Sequence, residues 1–515
     1  MPHVLRKFLG RIVDNSTTAF RGLGIIPLMF FGLVGLGGIL VGSYSVSPMT
    51  AMRVIGFLGL FVAILMALRF PFYGFLLFVM TLPLEAALVL EVGFTIRPSY
   101  LALVGITFII LSQFVLDSPS GSFNSPLTLT ICVYLGISAF SLIMTILSPP
   151  SMVDLVPEVK LRGSELRSLV QIAFLLFSSL VYFYTVYFCS DASRIGRAIR
   201  IHIYTAVVLS IYGIYQFLAY ILELPFLDIT NALGTGGGIY QVAKYGSWYY
   251  FRSHGTFQEP LNFGHYLLSA LPLVFALALY PRSSYSNVWR PMKTYSVPIL
   301  LMSSALFLTR SRGAWLGFLG GMLSLLIIVV NWKSRLKILS TISVGSAAIH
   351  LAMTFFLPDA YEMLWKAVAD RFSEGQLAYE PRFHFFPFTI ALFQQYPILG
   401  VGIGNYPLHQ AAEFGFGLLG TAYGVFWQAL VETGILGFLA FSFLLLHFYY
   451  VLFRALRQAK NGPWYPYLLG YLACFTAMMT QYLFLGDRLN LYVWFLMGLA
   501  ISTARLVERE KAAGQ

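Results

Sequence analysis

Apolar runs long enough to cross a lipid bilayer recur along almost the whole chain. A transmembrane helix needs roughly 20 mostly apolar residues. Runs of this kind, separated by charged or Pro/Gly/Ser-rich breaks, lie at 23–42, 52–68, 71–91, 98–116, 127–147, 168–188, 201–222, 262–280, 295–309, 313–331, 338–357, 424–453, 464–485 and 489–505. The pattern predicts an all-α integral membrane protein with about 12–14 transmembrane helices, because the acid-containing third run and the short ninth run also suit re-entrant segments.

The composition excludes a soluble protein. Only 10% of the 515 residues are charged, against about 25% in soluble domains. The three cysteines show no close pairing, so they predict neither a disulfide framework nor a zinc site. The sequence contains no nucleotide-binding glycine motif, which removes support for nucleotide-driven chemistry.

The distribution of charge predicts the orientation of the helices. If both termini are cytoplasmic, the inner segments hold 20 of the 33 basic and 5 of the 21 acidic residues. The inner side then carries +15 and the remainder −3, as the positive-inside rule requires. The net charge of +12 therefore reflects membrane topology and gives no reason to expect a nucleic acid partner.

Two predicted outer loops are much longer than the other connections. Long loops in compact proteins are usually functional or disordered, and an amphipathic stretch at Tyr361–Phe372 indicates that the larger loop is folded. The resulting organisation is N-terminal transmembrane helices in 1–222, an outer loop in 223–261, middle helices in 262–357, a large, partly helical outer loop in 358–422 and C-terminal helices in 423–515.

Four arginines from separate segments lie on the predicted outer face, at Arg252, Arg310, Arg312 and Arg382. Guanidinium groups bind phosphate oxygens in bidentate geometry. An arginine in or beside a span usually faces a cavity or a partner because its charge is costly in lipid. The four arginines therefore predict a site for a lipid-linked diphosphate. Alternatively, Arg310 and Arg312 are interfacial anchors whose side chains snorkel to water.

Few other outer-face groups have useful acid–base chemistry. Glu432 enters a predicted membrane helix, where a carboxylate serves either as a general base or as a partner that orients an arginine. A favourable charge at a helix N-terminus is the alternative reading. His254, His384 and His409 are candidate proton acceptors or ordinary hydrogen-bonded loop residues.

The order of several motifs resembles the bacterial O-antigen ligase/polymerase family. The motifs are GTFQEPLN at 255–262, TRSRGAWLG at 309–317, Arg382 in the long loop, YPILGVGIGNY at 396–406 and LVETGILG at 430–437. The alternating glycines of the fourth motif also permit a tight backbone path. The resemblance covers about 250–440.

This resemblance implies a metal-independent, inverting glycosyltransferase, without a cofactor, at the periplasmic face of the bacterial inner membrane. The donor is a glycan linked to undecaprenyl diphosphate. The acceptor is a sugar hydroxyl, on lipid A-core for a ligase or on another carrier-linked glycan for a polymerase. A chain-length regulator is a further candidate partner beside membrane lipids. Arg312, Arg382 and Glu432 match family motif positions.

One departure from the family pattern concerns the general base. Ligases of the family usually have His-Asn nine residues before the glutamate, and this chain has Tyr423-Gly424. Either His409, Glu413 or His384 substitutes, or the chain is a polymerase or another transferase that does not use that histidine.

Two other classes remain as alternatives. A flippase for lipid-linked oligosaccharides shares the helix count and the basic outer groups, although transporters often contain two related halves. A cell-wall glycan polymerase of the shape-elongation-division type requires a catalytic aspartate in its large loop. Asp359 and Asp370 are the nearest candidates, and neither lies in a recognisable motif.

Overall fold

The computed structural model is almost entirely helical. It describes residues 70–86, 90–91, 95–115, 121–147, 164–222, 224, 243–245, 248–250, 252–280, 293–328, 381–414, 421–422, 424–460, 462–486 and 489–513, together with scattered helical positions between 336 and 366.

The described helices, in chain order, are α1 Pro71–Thr81, α2 Pro98–Val115, α3 Thr128–Phe140, α4 Leu142–Leu147, α5 Ser164–Phe188, α6 Ala192–Ile221, α7 Pro260–Leu268, α8 Leu271–Leu279, α9 Lys293–Leu308, α10 Arg312–Ile328, α11 Pro381–Gln395, α12 Tyr406–Phe414, α13 Val425–Gln458, α14 Tyr465–Tyr482 and α15 Leu491–Ala513. Two antiparallel hairpins pair β1 Leu90–Glu91 with β2 Thr95–Ile96 and β3 Ala243–Tyr245 with β4 Trp248–Tyr250.

The apolar helices confirm an all-α, multi-pass membrane protein. Within the described residues, seven helical segments have the length and apolar character of a membrane span, counting α3 with α4 and α7 with α8 as one segment each. Shorter apolar helices lie in α1, α9 and α10. The predicted spans 23–42 and 52–68, and most of 338–357, fall outside the described residues, so the total of 12–14 stays a prediction.

The chain divides into two compact units. One consists of 1–122 with 187–263, and the other of 123–186 with 264–515. This division does not test the five-segment organisation expected from the sequence, which stays a prediction.

In the first unit, α1 packs against α2 and α6. The span predicted at 71–91 was too long, because the helix ends at Thr81, two residues before Pro83, and proline disfavours helical geometry in the residue before it. The chain after α1 is held by Thr256, whose Oγ1 donates to the Pro83 carbonyl at 2.6 Å and whose carbonyl accepts from the Ala86 amide at 2.9 Å.

In the second unit, α10 packs closely against α14. A Cβ added at Gly317 would lie 2.7 Å from the carbonyl oxygen of Ala477, and one added at Gly321 would lie 2.8 Å from the Ala477 Cβ. Small residues of this kind let membrane helices approach closely, since lipid provides no hydrophobic drive for their association. The α8 helix also packs on α14, and α13 packs on α3, α14 and α15.

Candidate functional site

A short turn carrying two of the predicted arginines connects α9 to α10. Arg310 is buried, with 5% of its surface exposed, and its φ of 51° lies in the left-handed region. A non-glycine residue costs of order 1–2 kcal/mol in that conformation. The burial of Arg310 also argues against the alternative in which its guanidinium group snorkels to water.

The turn is fixed by hydrogen bonds on both sides of Arg310. The Arg310 amide donates to the Phe307 carbonyl at 3.0 Å, and the Ser311 hydroxyl accepts from the Ala314 amide at 3.3 Å, as an N-cap does. The indole of Trp315 stacks on Phe307, with 5.5 Å between ring centroids. Arg312, which is half-buried, is the first residue of α10.

The α13 helix is broken in the middle of the LVETGILG motif. Gly434 has φ 66° and ψ −170°, which are not helical values. The break leaves backbone groups of α13 without hydrogen-bond partners inside the helix. The YPILGVGIGNY loop supplies those partners. The Val401 amide donates to the Val431 carbonyl at 2.9 Å, and the Ile435 amide donates to the Pro397 carbonyl at 2.8 Å. Two motifs about thirty residues apart in sequence therefore form one hydrogen-bonded unit.

The glycines of this loop are required by its backbone. Gly400, Gly402 and Gly404 have φ of 67°, 89° and 83°, a region that glycine adopts at no steric cost. A Cβ at Gly400 would also overlap the backbone of Val431 and Glu432. The expected tight backbone path is confirmed. The glycines allow the loop to approach α13 closely.

The other side of the loop is anchored on α4 and α5. The side-chain amide of Asn405 donates through Nδ2 to Thr145 Oγ1 at 3.0 Å and to the Val401 carbonyl at 3.1 Å. Ser168 Oγ donates to the Ile403 carbonyl at 2.7 Å, and Arg167 Nε donates to the Gly404 carbonyl at 2.8 Å. Consequently the loop is held between α13 on one side and α4 and α5 on the other, all within the same unit.

Glu432 lies directly beside this junction. It is buried, with 3% of its surface exposed, and Gln428 Nε2 donates to its Oε1 at 3.4 Å. Glu432 is the eighth residue of α13 and lies two residues before the break, so it is outside the first turn, where a helix N-terminus stabilises negative charge. The structure therefore gives no support to the helix-terminus alternative for this carboxylate.

Two buried polar atoms near the loop have no hydrogen-bond partner among the described residues. They are Oε1 of Gln428 and Nε2 of His409. His409 lies on α12, one turn after Asn405, with its ring 6.3 Å from that of Tyr396. Burial lowers the pKa of His409 to about 4, so its imidazole is neutral near pH 7. Glu413, on the same helix, is exposed.

The structure gives less detail for the other predicted site residues near α11 and the start of α13. Arg382 and His384 lie in the first turn of α11, and the structure does not describe their side chains. Farther along α11, Thr389 Oγ1 is 2.8 Å from the hydroxyl of Tyr406, which joins α11 to α12. Tyr423 falls outside the described residues, and Gly424 immediately precedes α13.

Arg252 belongs to the first compact unit. Its side chain is half-buried, and the segment that follows it is fixed to α6. Ser253 Oγ donates to the Gly213 carbonyl at 2.8 Å, and the Gly255 amide donates to Gln216 Oε1 at 2.8 Å. The other candidate residues of the second unit therefore belong to a different compact unit from Arg252.

The arginine turn and the start of α13 lie at the same end of α14. Near that end, Gly317 of α10 packs on Ala477, and a Cβ at Gly424 would lie 2.8 Å from the Leu483 carbonyl. The sequence predicts this end to be the outer one. The structure thus brings Glu432 together with the glycine loop, and it places Arg310 and Arg312 at the end of the helix bundle where α13 begins.

A buried polar cluster at this end was not anticipated from the sequence. His265 Nδ1 lies 2.8 Å from the hydroxyl of Tyr492, which also accepts from Asn490 Nδ2 at 2.9 Å. The backbone amide of Asn490 donates to the hydroxyl of Tyr482, whose ring centroid is 4.2 Å from that of His265. A histidine within an apolar run was the available signal, because intramembrane ionisable residues are rare and usually functional.

The comparison with protein families decides which known group the second unit resembles. Residues 297–442 match the family described as O-Antigen ligase. This stretch of the chain is similar to that family and is called the O-antigen ligase domain for that reason. This domain contains the arginine turn, the glycine loop, the break at Gly434 and Glu432, whereas Arg252 lies outside it. The family resemblance drawn from the motifs is confirmed over this range, and no curated protein matches the chain.

Over the ranges given above, no three His, Cys, Asp or Glu side chains converge as a metal site would require. The metal independence of the O-antigen ligase domain stays a prediction.

Proposed function

We propose that this membrane glycosyltransferase of the O-antigen ligase/polymerase type moves a glycan from undecaprenyl diphosphate to a sugar hydroxyl. The reaction takes place at the periplasmic face of the bacterial inner membrane, with both chain termini in the cytoplasm. The observation that carries the proposal is the junction of the glycine loop with the broken α13, which fixes a buried carboxylate, Glu432, inside the O-antigen ligase domain.

The proposed reaction is an inverting displacement at the anomeric carbon. The acceptor oxygen forms a bond to that carbon from the face opposite the carrier. The bond between the carbon and the carrier oxygen breaks, and the diphosphate leaves with the bonding electron pair. The acceptor proton passes to a base on the protein. The new negative charge accumulates on the diphosphate, so the main requirement of the site is cationic stabilisation at that end.

Arginines meet this requirement at the end of α14 where α13 begins. Arg310 is held in a left-handed conformation and buried, although glycine adopts this backbone more readily. Strained residues persist where the surrounding structure enforces them and are common at functional sites. Arg312 and Arg382 match the family motif, and we assign the diphosphate to Arg310, Arg312 and Arg382. A role for Arg252, which belongs to the first unit, stays a prediction.

Glu432 is the strongest candidate for the base. Its carboxylate is buried, and its neighbour Gln428 offers an oxygen that has no hydrogen-bond partner among the described residues. Buried polar atoms without partners are rare in native proteins. We assign the Gln428 oxygen to an acceptor hydroxyl, which then lies within reach of Glu432.

His409 is the second candidate for the base. Its Nε2 is buried without a hydrogen-bond partner in the described part of the chain, and its lowered pKa keeps the ring neutral. The same burial makes it a weak proton acceptor near pH 7, because the optimum pKa of a base lies near the working pH. Glu413 and His384 are the remaining candidates.

An assay with the purified full chain tests the proposal. The chain is incubated in detergent or vesicles with a carrier-linked oligosaccharide, with and without a lipid A-core acceptor. A ladder of longer carrier-linked products identifies a polymerase, and product formation only with the acceptor identifies a ligase. Movement of the donor across the vesicle bilayer without a new bond would instead identify a flippase. An unchanged rate in EDTA is expected for metal-independent transfer.

A further inference from the structure

A cavity in the first compact unit lies among α1, α2 and the start of α6. It measures about 250 Å³, and its lining includes Phe72, Tyr73, Gln113, Arg194 and Arg197. None of these residues lies in the O-antigen ligase domain. The positive-inside pattern predicts that this end of α6 lies at the cytoplasmic face.

The two arginines of the cavity differ in how their charges are balanced. Arg194 Nε is 3.2 Å from Asp191 Oδ2, so this guanidinium is already paired with a carboxylate. Arg197 lies over the rings of Phe72 and Tyr73, at 4.8 and 5.9 Å, and its Nη1 donates to the Tyr73 hydroxyl at 3.5 Å. Its Nε is buried without a hydrogen-bond partner among the described residues. The cavity therefore offers a fixed cation with an unused donor.

The surroundings of the cavity are apolar and exposed. Tyr73 is 58% exposed, and the large side chains Phe70, Leu111 and Phe114 are also exposed. In a membrane protein, such side chains at the edge of a bundle face lipid. Drug-sized ligands usually need about 300–1,000 Å³, so this smaller space suits a headgroup whose acyl chains lie outside, along the exposed apolar side chains.

We propose that this cavity binds the headgroup of an anionic phospholipid of the cytoplasmic leaflet, with Arg197 as the main phosphate ligand. Basic pockets between transmembrane helices on this side of a membrane are suited to anionic lipid headgroups. The apolar border favours a lipid over an acidic peptide, which would need a polar rim. This inference does not depend on the transferase reaction.

Binding is tested with the full chain in detergent micelles containing phosphatidylglycerol or phosphatidylcholine. Native mass spectrometry reports the lipid retained by each protein molecule, and thermal unfolding reports the accompanying stabilisation. The wild-type chain should retain phosphatidylglycerol in preference. Arg197→Gln should weaken retention about fivefold, whereas Arg457→Gln, at an exposed arginine in the last turn of α13, should not change it.

Three outcomes of the retention measurement would overturn the proposal. They are equal retention of the two lipids by the wild-type chain, unchanged phosphatidylglycerol binding in Arg197→Gln, and an equal loss in Arg457→Gln, which would indicate diffuse attraction to the membrane surface. If soluble glycerol phosphate stabilises the chain as well as the lipid does, the site binds a free phosphate and the assignment to a lipid is wrong. Arg197→Lys provides a second variant that keeps the charge and removes the planar fork.

Discussion

The turn at Arg310 and the break at Gly434 both require a positive φ, and they meet this requirement with very different residues. Both positions have φ in the left-handed region, 51° and 66°. At Gly434 a Cβ would collide with the Ile398 carbonyl, so glycine is needed for conformation and for space. At Arg310 the chain keeps a long charged side chain despite the strain. The contrast leads us to propose that glycine at the break is required by the fold, whereas the strain at the turn is retained for the function of the Arg310 side chain.

The largest expected effect is at the arginines assigned to the diphosphate. Arg312→Ala, and likewise Arg382→Ala, should reduce glycan transfer to the detection limit, because the leaving diphosphate loses a cation that stabilises its growing charge. Transfer is measured from carrier-linked donor, and insertion is checked by membrane fractionation. Arg457→Ala serves as the matched control. Transfer at the wild-type level in either site variant would remove that arginine from the diphosphate site.

Glu432→Gln tests the carboxylate beside the break. The amide keeps the shape and still hydrogen-bonds to Gln428, so folding should be preserved. Loss of a general base should lower the transfer rate about 10²–10⁴-fold. His409→Gln and Glu413→Gln are assayed in parallel. If either of these lowers the rate more than Glu432→Gln does, the role of base passes to that residue.

Gly434→Ala tests the break itself. The left-handed backbone and the overlap with Ile398 should together lower the free energy of unfolding by about 3 kcal/mol or more. Thermal unfolding in detergent measures this change. Gly136→Ala is the matched control, since a Cβ at this helical glycine meets nothing within 4 Å. A Gly434→Ala chain as stable as the control would mean that glycine is not required at the break.

Arg310→Gly and Arg310→Ala separate the strain at the turn from the function of the side chain. Both variants should lose transfer equally, because both remove the guanidinium. The glycine variant should be more stable than the alanine variant by about 1 kcal/mol, because only alanine keeps the steric strain. Near-normal transfer by the glycine variant would make Arg310 a structural residue and would weaken the contrast with Gly434.

The smallest expected effect concerns pH. The folded-state pKa of His409 is lowered to about 4 by burial, below the usual value near 6.5. Between these two values the unfolded chain binds the proton and the folded chain does not, so His409 should make stability fall as the pH drops from 6.5 to 4. His409→Gln should reduce the slope of the unfolding temperature against pH over this range. An unchanged slope would contradict the burial of the ring.

The sequence predicts the helices well because their signal is local. An apolar run of spanning length identifies α2 or α6 without any knowledge of its neighbours. The early end of α1 was missed because the apolar character continues beyond Thr81, although Pro83 marks the boundary. The hairpins were missed because strands of two or three residues leave no periodic pattern.

The candidate site could be predicted only as a set of residues. The motifs identify Arg312, Glu432 and the alternating glycines, and the glycine pattern correctly indicates a tight loop. Neither motif predicts that the Val401 amide donates to the Val431 carbonyl in place of a donor from within the helix. This hydrogen bond joins segments thirty residues apart in the sequence. The support given by Arg167 was missed for the same reason, since its partner is the carbonyl of Gly404.

The bonds between the glycine loop and α13 have a consequence for how the protein is assembled. Unpaired backbone groups inside a bilayer cost several kcal/mol each, so α13 can adopt its broken form only after the loop has docked. During synthesis the loop precedes the helix. An α13 segment without the docked loop is therefore expected to be most stable as a continuous helix.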